Sequence, residues 1–182
     1  MEQREALRAA VRRVAWGYLL ILLDINLGAL NILPNWLGYV LILRALPALK
    51  EETQSAGLLE PLGILLAVWD GILWIGTLLG TAINWPLPQL LVTVISLYFH
   101  FQLLTNLADI AGKYGCPWES KLRILRAVQV VLLTVTYLLV SFVENAVFFT
   151  LLAVVNLIVV VWICRVLFGF HRFLSELPEA PA

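Results

Sequence analysis

Charge is scarce in this sequence. Twelve Lys and Arg residues balance twelve Asp and Glu residues over 182 positions, so only 13% of side chains are charged and the formal net charge is zero. A nucleic-acid-binding surface needs clustered positive charge, and the scattered basic residues here exclude one. Histidine occurs twice and cysteine twice. His171 lies in the C-terminal tail, so the two histidines cannot form a His-Glu-x-x-His metal site. Cys116 and Cys164 make neither a metal-ligand spacing nor a disulfide framework and read as reduced thiols. The sequence has no phosphate-cradling Gly loop and no Gly-x-Ser-x-Gly elbow. No catalytic activity, cofactor or metal centre is expected.

Apolar residues are abundant instead. They make up 62% of the chain, and its mean hydropathy is +0.92. A soluble domain of this length cannot hide that much apolar side chain from water. Six apolar segments emerge, at 14–33, 35–50, 58–80, 87–111, 122–143 and 145–169. Most are long enough to cross ~30 Å of hydrocarbon as helix; the second is short. The expected fold is an all-α integral membrane protein, a single transmembrane domain over 1–182 built as three antiparallel hairpins. The N-terminus resembles a signal peptide in its run of arginines before Val14–Leu23. Asp24 and the absence of a small-x-small cleavage site favour an uncleaved first span.

The breaks have physical causes. Pro34 disfavours helical geometry at Leu33 and cannot donate a backbone hydrogen bond. Asn84-Trp85-Pro86-Leu87-Pro88 does the same between the third and fourth spans, and Glu144-Asn145 marks a third tight turn. The other two connections, around Lys50 and from Lys113 to Arg126, are longer and charged. All Lys and Arg then fall on the side of the termini and charged loops, and none falls in the Pro/Asn turns. The positive-inside rule places the termini and charged loops in the cytosol, in a cell membrane. Fusing 14–46 into one Pro-kinked helix gives five spans and loses most of this sorting. A re-entrant first hairpin keeps the same parity, but 14–33 alone measures ~30 Å as helix, a full crossing.

Ionisable groups inside the bilayer are rare, because each costs ~2.5–3.5 kcal/mol on insertion scales. Four candidates occur here: Asp24, Arg44, Asp70 and His100. Heights counted from the first turn set Asp24 level with Arg44, which predicts an ion pair across one hairpin. Heights counted from the second set Asp70 level with His100, a carboxylate and an imidazole able to hold a proton. A secondary polar stripe comprises Asn31, Asn35, Gln102, Asn106, Gln129 and Asn156. Such stripes face protein or water, and many serve only helix packing through close backbone approach and interhelical hydrogen bonds. The loop around Cys116-Pro117-Trp118 is a candidate contact for anionic lipid or a protein partner, through Lys121, Arg123 and Arg126.

The stretch from Asp24 through Leu33, Pro34, Gly38 and Tyr39 resembles a segment of small uncharacterised polytopic membrane proteins of bacteria, especially Gram-positive ones. Their recurring core is Asp followed by Leu-Pro-x-x-apolar-Gly-aromatic. The resemblance covers about 25 residues, carries no known activity, and implies a bacterial cytoplasmic membrane. By size and six-span topology the chain is also similar to the substrate-binding subunits of vitamin-uptake transporters. The Ala-x-x-x-Ala docking motif is absent from the 14–33 span, so that likeness is architectural. Glu51-Glu52 lacks the following arginine of intramembrane prenyl-protein proteases, since Ala56 stands in its place. Trp69-Asp70-Gly71 does not match the Gly-x-Gly-Asp of intramembrane aspartyl proteases. Two functions are therefore expected as alternatives. One is a small-solute transporter, or transporter subunit, with a mid-membrane polar site. The other is a non-catalytic assembly or regulatory subunit whose polar stripes are packing contacts.

Overall fold

The computed structural model describes residues 2–22, 26–27, 30–31, 34–81, 85–140 and 146–177. Seven α-helices dominate: α1 (Glu2–Leu22), α2 (Asn35–Leu43), α3 (Leu46–Glu52), α4 (Leu59–Leu78), α5 (Pro86–Lys113), α6 (Glu119–Val140) and α7 (Ala146–Glu176). A 3₁₀ turn (Gln54–Leu58) leads into α4. Between α1 and α2 lie two short strands, β1 (Asn26–Leu27) and β2 (Leu30–Asn31), paired antiparallel with Asn26 opposite Asn31. Asp24, Gly28, Asn84 and the Glu144-Asn145 turn lie outside the described residues.

Three described helical segments are long and apolar enough to cross a membrane: 54–78, 86–113 and 147–176, with mean hydropathies of 1.7, 1.5 and 2.8. These give the chain its membrane association. Their outward faces are apolar, as lipid contact requires: Ile64, Val68, Ile72 and Ile75 on α4, and Leu151, Val154, Ile158 and Val161 on α7, are all exposed. At 22 residues α6 is also membrane-length, ~33 Å. Two helix ends are shaped by glycine. Gly80 and Gly115 adopt φ of 69° and 63°, and the next residues donate back to the helix, Thr81 to the Gly76 carbonyl and Cys116 to that of Ala111, each at 2.9 Å.

The first hairpin departs from the expected pair of helices. Residues 14–33 do not form one helix, because α1 stops at Leu22 and the strands follow. Residues 35–50 do not form one either. The helix breaks at Arg44-Ala45, because Pro47 cannot donate to the Leu43 carbonyl and its ring would crowd it. α2 therefore has 9 residues, ~13 Å, too short to cross alone. α1 instead starts at Glu2, far before the apolar run. Its 3–4-spaced stripe of Leu7, Ala10, Val11, Val14 and Tyr18 is wholly buried. The N-terminal part of the stripe joins Val166, Leu167, Phe170 and Leu174 of α7 in the core, at the end of the bundle where the basic residues lie.

α1 and α2 cross at unusually close range. A Cβ on Gly38 would sit 2.6 Å from the Gly17 carbonyl oxygen, and one on Gly17 would sit 2.8 Å from that of Gly38. Each backbone packs against the other, as small residues allow between membrane helices. The Gly38→Val variant should therefore lose at least ~1–3 kcal/mol of stability, read as a lowered thermal midpoint in detergent. Gly71, whose added Cβ would meet only Trp36 at 4.0 Å, should tolerate Ala within ~0.5 kcal/mol. Equal midpoints for the two variants would refute the close crossing.

Candidate functional site

The basic edge explains itself first. Arg123 pairs with Asp109 at 2.9 Å and with Glu119 at 3.1 Å. Arg126 donates to the Thr105 hydroxyl at 3.1 Å and stacks on the Phe101 ring. Lys121 lies over the Trp118 ring, 4.3 Å from its centroid. The three basic residues expected to face a partner are thus engaged within the chain. Lys50 pairs with Glu60, and Lys113 bonds the Glu52 carbonyl and lies 3.8 Å from its carboxylate. The Tyr114 phenol donates to Glu52 at 2.9 Å, and burial followed by this bond raises its pKa. Burial also pushes the Cys116 thiol above its ordinary value, partly offset by a backbone hydrogen bond at Trp118.

Arg44 belongs to this edge, beside Arg13, and does not line the cavity described below. It is exposed at the α2–α3 break, and its carbonyl accepts from Arg13 at 3.3 Å. Its neighbour Leu43 packs against Gly63, only four residues into α4. The height expected for Arg44 is counted from a turn centred between residues 34 and 35, whereas α1 ends at Leu22 and α2 begins only at Asn35. The expected partner, Asp24, lies outside the described residues.

The secondary stripe divides. Asn106 is fully buried and ties α5 to the 3₁₀ turn: its Oδ1 accepts from Ser55 at 2.7 Å and from Gln102 at 2.9 Å. Gln102 and Asn106 are thus packing residues, as membrane helices often use them. Gln129 is 3% exposed, with both side-chain polar atoms unpartnered among the described residues. Asn156 is half-buried on α7, and Asn31 belongs to the strand pair.

Asn35, Asp70 and His100 meet in one cavity of about 340 Å³. It lies among α1, α2, α4, α5 and α6, and its polar lining is completed by Tyr39, Gln89, Thr93, Ser96 and Tyr137. Helical spacing supplies the pattern: Asn35 and Tyr39 are four apart on α2, and Gln89, Thr93, Ser96 and His100 fall at four, three and four on α5. Gln89 is exposed, Asp70 is half-buried and His100 is 2% exposed, so the mouth faces the start of α5 and the floor is His100. Along α5 the lining from Gln89 to His100 spans about 16 Å.

Asp70 and His100 share the cavity but not the level. Phe99 touches the Gly63 position on α4, and Asp70 lies seven residues further toward the mouth, about 10 Å. Tyr39 occupies the floor. Its hydroxyl is 3.4 Å from His100 Nε2 and 3.5 Å from Ser96 Oγ, at the outer limit of hydrogen bonding. His100 Nδ1 and Asn35 Oδ1 are buried without a hydrogen-bond partner among the described residues. Tyr18 of α1 backs the floor, its hydroxyl 3.5 Å from the His100 carbonyl. Sequence reasoning singled out Asp70 and His100 and missed Tyr39 as a site residue. Its four-residue spacing from Asn35 on a short helix was the available signal.

No group of three His, Cys, Asp or Glu residues that could hold a metal occurs among the described residues. No family description matches the chain, and no curated protein or solved structure does either.

If the cavity is wet and open at the α5 N-terminal end, cysteines introduced at Gln89 and Ser96 should react with a charged, water-soluble methanethiosulfonate added from that side. A cysteine at Val94, which is exposed and apolar on the outer wall, should not. Cys116 and Cys164 are both buried, and the raised Cys116 pKa keeps that thiol protonated at neutral pH, so native background should be low. Equal labelling at positions 94 and 96 would count against a water-filled cavity.

Proposed function

We propose that the protein is a small-solute transporter, or the solute-binding subunit of one, with the Asp70–His100 cavity as its site. The observation that carries this reading is the polar cavity itself, set within helices whose outer faces are lipid-compatible. Ionisable groups at membrane depth mark substrate and proton pathways more often than packing. The broken first hairpin supports the same reading. Non-helical backbone at membrane depth is tolerated where it lines a cavity or is covered by protein, and Asn35, the first residue of α2, lines this one.

In this reading the chain crosses six times in a cytoplasmic membrane, with both termini and the basic edge in the cytosol. The first hairpin completes its crossing through the strand pair. Trp36 stacks with Trp74 at 6.2 Å, which brings the start of α2 to within about 6 Å of the end of α4. Asp70 takes up a proton near the mouth, and Ser96, Tyr39 and His100 continue the polar path to the floor. The alternative is a non-catalytic assembly subunit whose polar stripes are packing contacts, as Gln102 and Asn106 are, with the basic loop as its contact surface. Lys121, Arg123 and Arg126 are spent on internal contacts, which weakens it.

In proteoliposomes, an imposed pH gradient should drive proton flux that Asp70→Asn abolishes and Asp70→Glu partly keeps. Undiminished flux in a correctly folded Asp70→Asn protein would remove Asp70 from the pathway.

A further inference from the structure

We infer that the cavity binds a small protonated amine, a monocation carrying N–H donors. This deepens the transport reading and rests on the same site. Three observations converge on it. First, Asp70 is the only carboxylate in the lining, and no Lys or Arg lines the cavity among the described residues. An anion entering here would meet one negative group and no compensating positive one, at a depth where water screens poorly. A cation would meet its counter-ion.

Second, the unpartnered side-chain atoms of the lining residues can serve as acceptors. Asn35 Oδ1 is buried with no donor. His100 Nδ1 is buried with none either, and it becomes an acceptor when Nε2 carries the proton toward the Tyr39 hydroxyl. The Thr93 hydroxyl has already given its proton to the Gln89 carbonyl at 2.9 Å and keeps its lone pairs free. A buried acceptor left empty is costly, so such a set matches a ligand that brings several donors. A primary ammonium brings three N–H groups, whereas a quaternary ammonium brings none.

Third, size and lining suit a small organic ion. At about 340 Å³ the cavity lies at the low end of small-molecule sites. Its walls mix the ring of Tyr39 and, at the mouth, of Tyr137 with Ile21, Leu66, Leu73 and Val92. Aromatic faces favour a cation, and the aliphatic groups favour a short alkyl tail.

The test uses radiolabelled butylammonium in equilibrium dialysis against the full-length protein in non-ionic detergent. The expected result is saturable binding that unlabelled butylammonium displaces. At equal concentration, the neutral isostere 1-butanol and the anion butyrate should not displace it. Tetramethylammonium, a cation without N–H donors, should compete about tenfold more weakly, since it leaves the acceptors empty. Asp70→Asn should weaken binding at least about tenfold, and Asp70→Glu should retain it. Both variants should elute as the parent protein does, which separates lost binding from lost fold. Butyrate or 1-butanol competing as well as butylammonium, an unaffected Asp70→Asn variant, or no saturable binding at all would overturn the proposal. Ammonium binding without proton flux would sink the transport reading alone. Asp70-dependent flux with no ammonium binding would sink this inference alone.

Discussion

The contact between Gly17 and Gly38 governs where everything else in the first hairpin can go. Two helices whose backbones touch cannot slide past each other without separating, so this crossing fixes their register. With Gly38 on the Gly17 backbone, the next residue, Tyr39, is aimed between α4 and α5 at His100. Asn35, one turn earlier, reaches the cavity wall. Arg44, less than two turns later, emerges beside Arg13 at the basic edge. Two residues of a nine-residue helix, and the arginine that follows its last residue, thus take their places from one steric fact. It also bears on how α1 buries a whole stripe despite its charged beginning: it is held by α2 on one side and α7 on the other.

That same hairpin creates the bundle's polar half. Toward the basic edge, α1 and α7 fill the space with Leu7, Val11, Val14, Leu167 and Phe170. Toward the opposite end, helix gives way to two short strands, and α2 ends α1's continuous apolar packing. The space there is lined by Asn35, Asp70, Gln89, Thr93 and Ser96 alongside Leu66, Leu73 and Val92. A dry void bordered by so many polar groups would be far more costly than a wet one. The cavity therefore suits water or a polar ligand better than it suits a gap in a packed core.

How far the sequence revealed this differs along the chain. The later expected spans, 58–80, 87–111, 122–143 and 145–169, correspond closely to α4 through α7, because unbroken apolar runs with Pro or charge at their ends leave helix as the main option in lipid. The first hairpin was not legible in this way. Its apolar residues suit strand as well as helix, and the break expected around Pro34 is only the last step before α2. Pro47 was the overlooked signal for the break at Arg44. Heights counted from a turn centred between residues 34 and 35 take no account of these interruptions, so they do not bring Arg44 beside Arg13. Asp70 and His100 were picked out by rarity, an argument that does not depend on heights, and they do share a cavity.

Moving Arg44 to the edge also changes what the charge pattern means. Read from sequence alone, the chain sorted its basic residues to one side yet kept one at depth, opposite a carboxylate. In the structure, Arg44 joins the other basic residues, and the exception disappears. What remains at depth among the described residues is a carboxylate without a basic counterpart. A paired Asp would have been a structural clasp, satisfied by its neighbour and chemically quiet. An unpaired one in a cavity of hydroxyls, amide and imidazole stays neutral by holding a proton, or charged by holding a cation. Either state requires something that arrives from water, so the same sorting of basic residues leaves Asp70 dependent on a proton or cation from outside the chain.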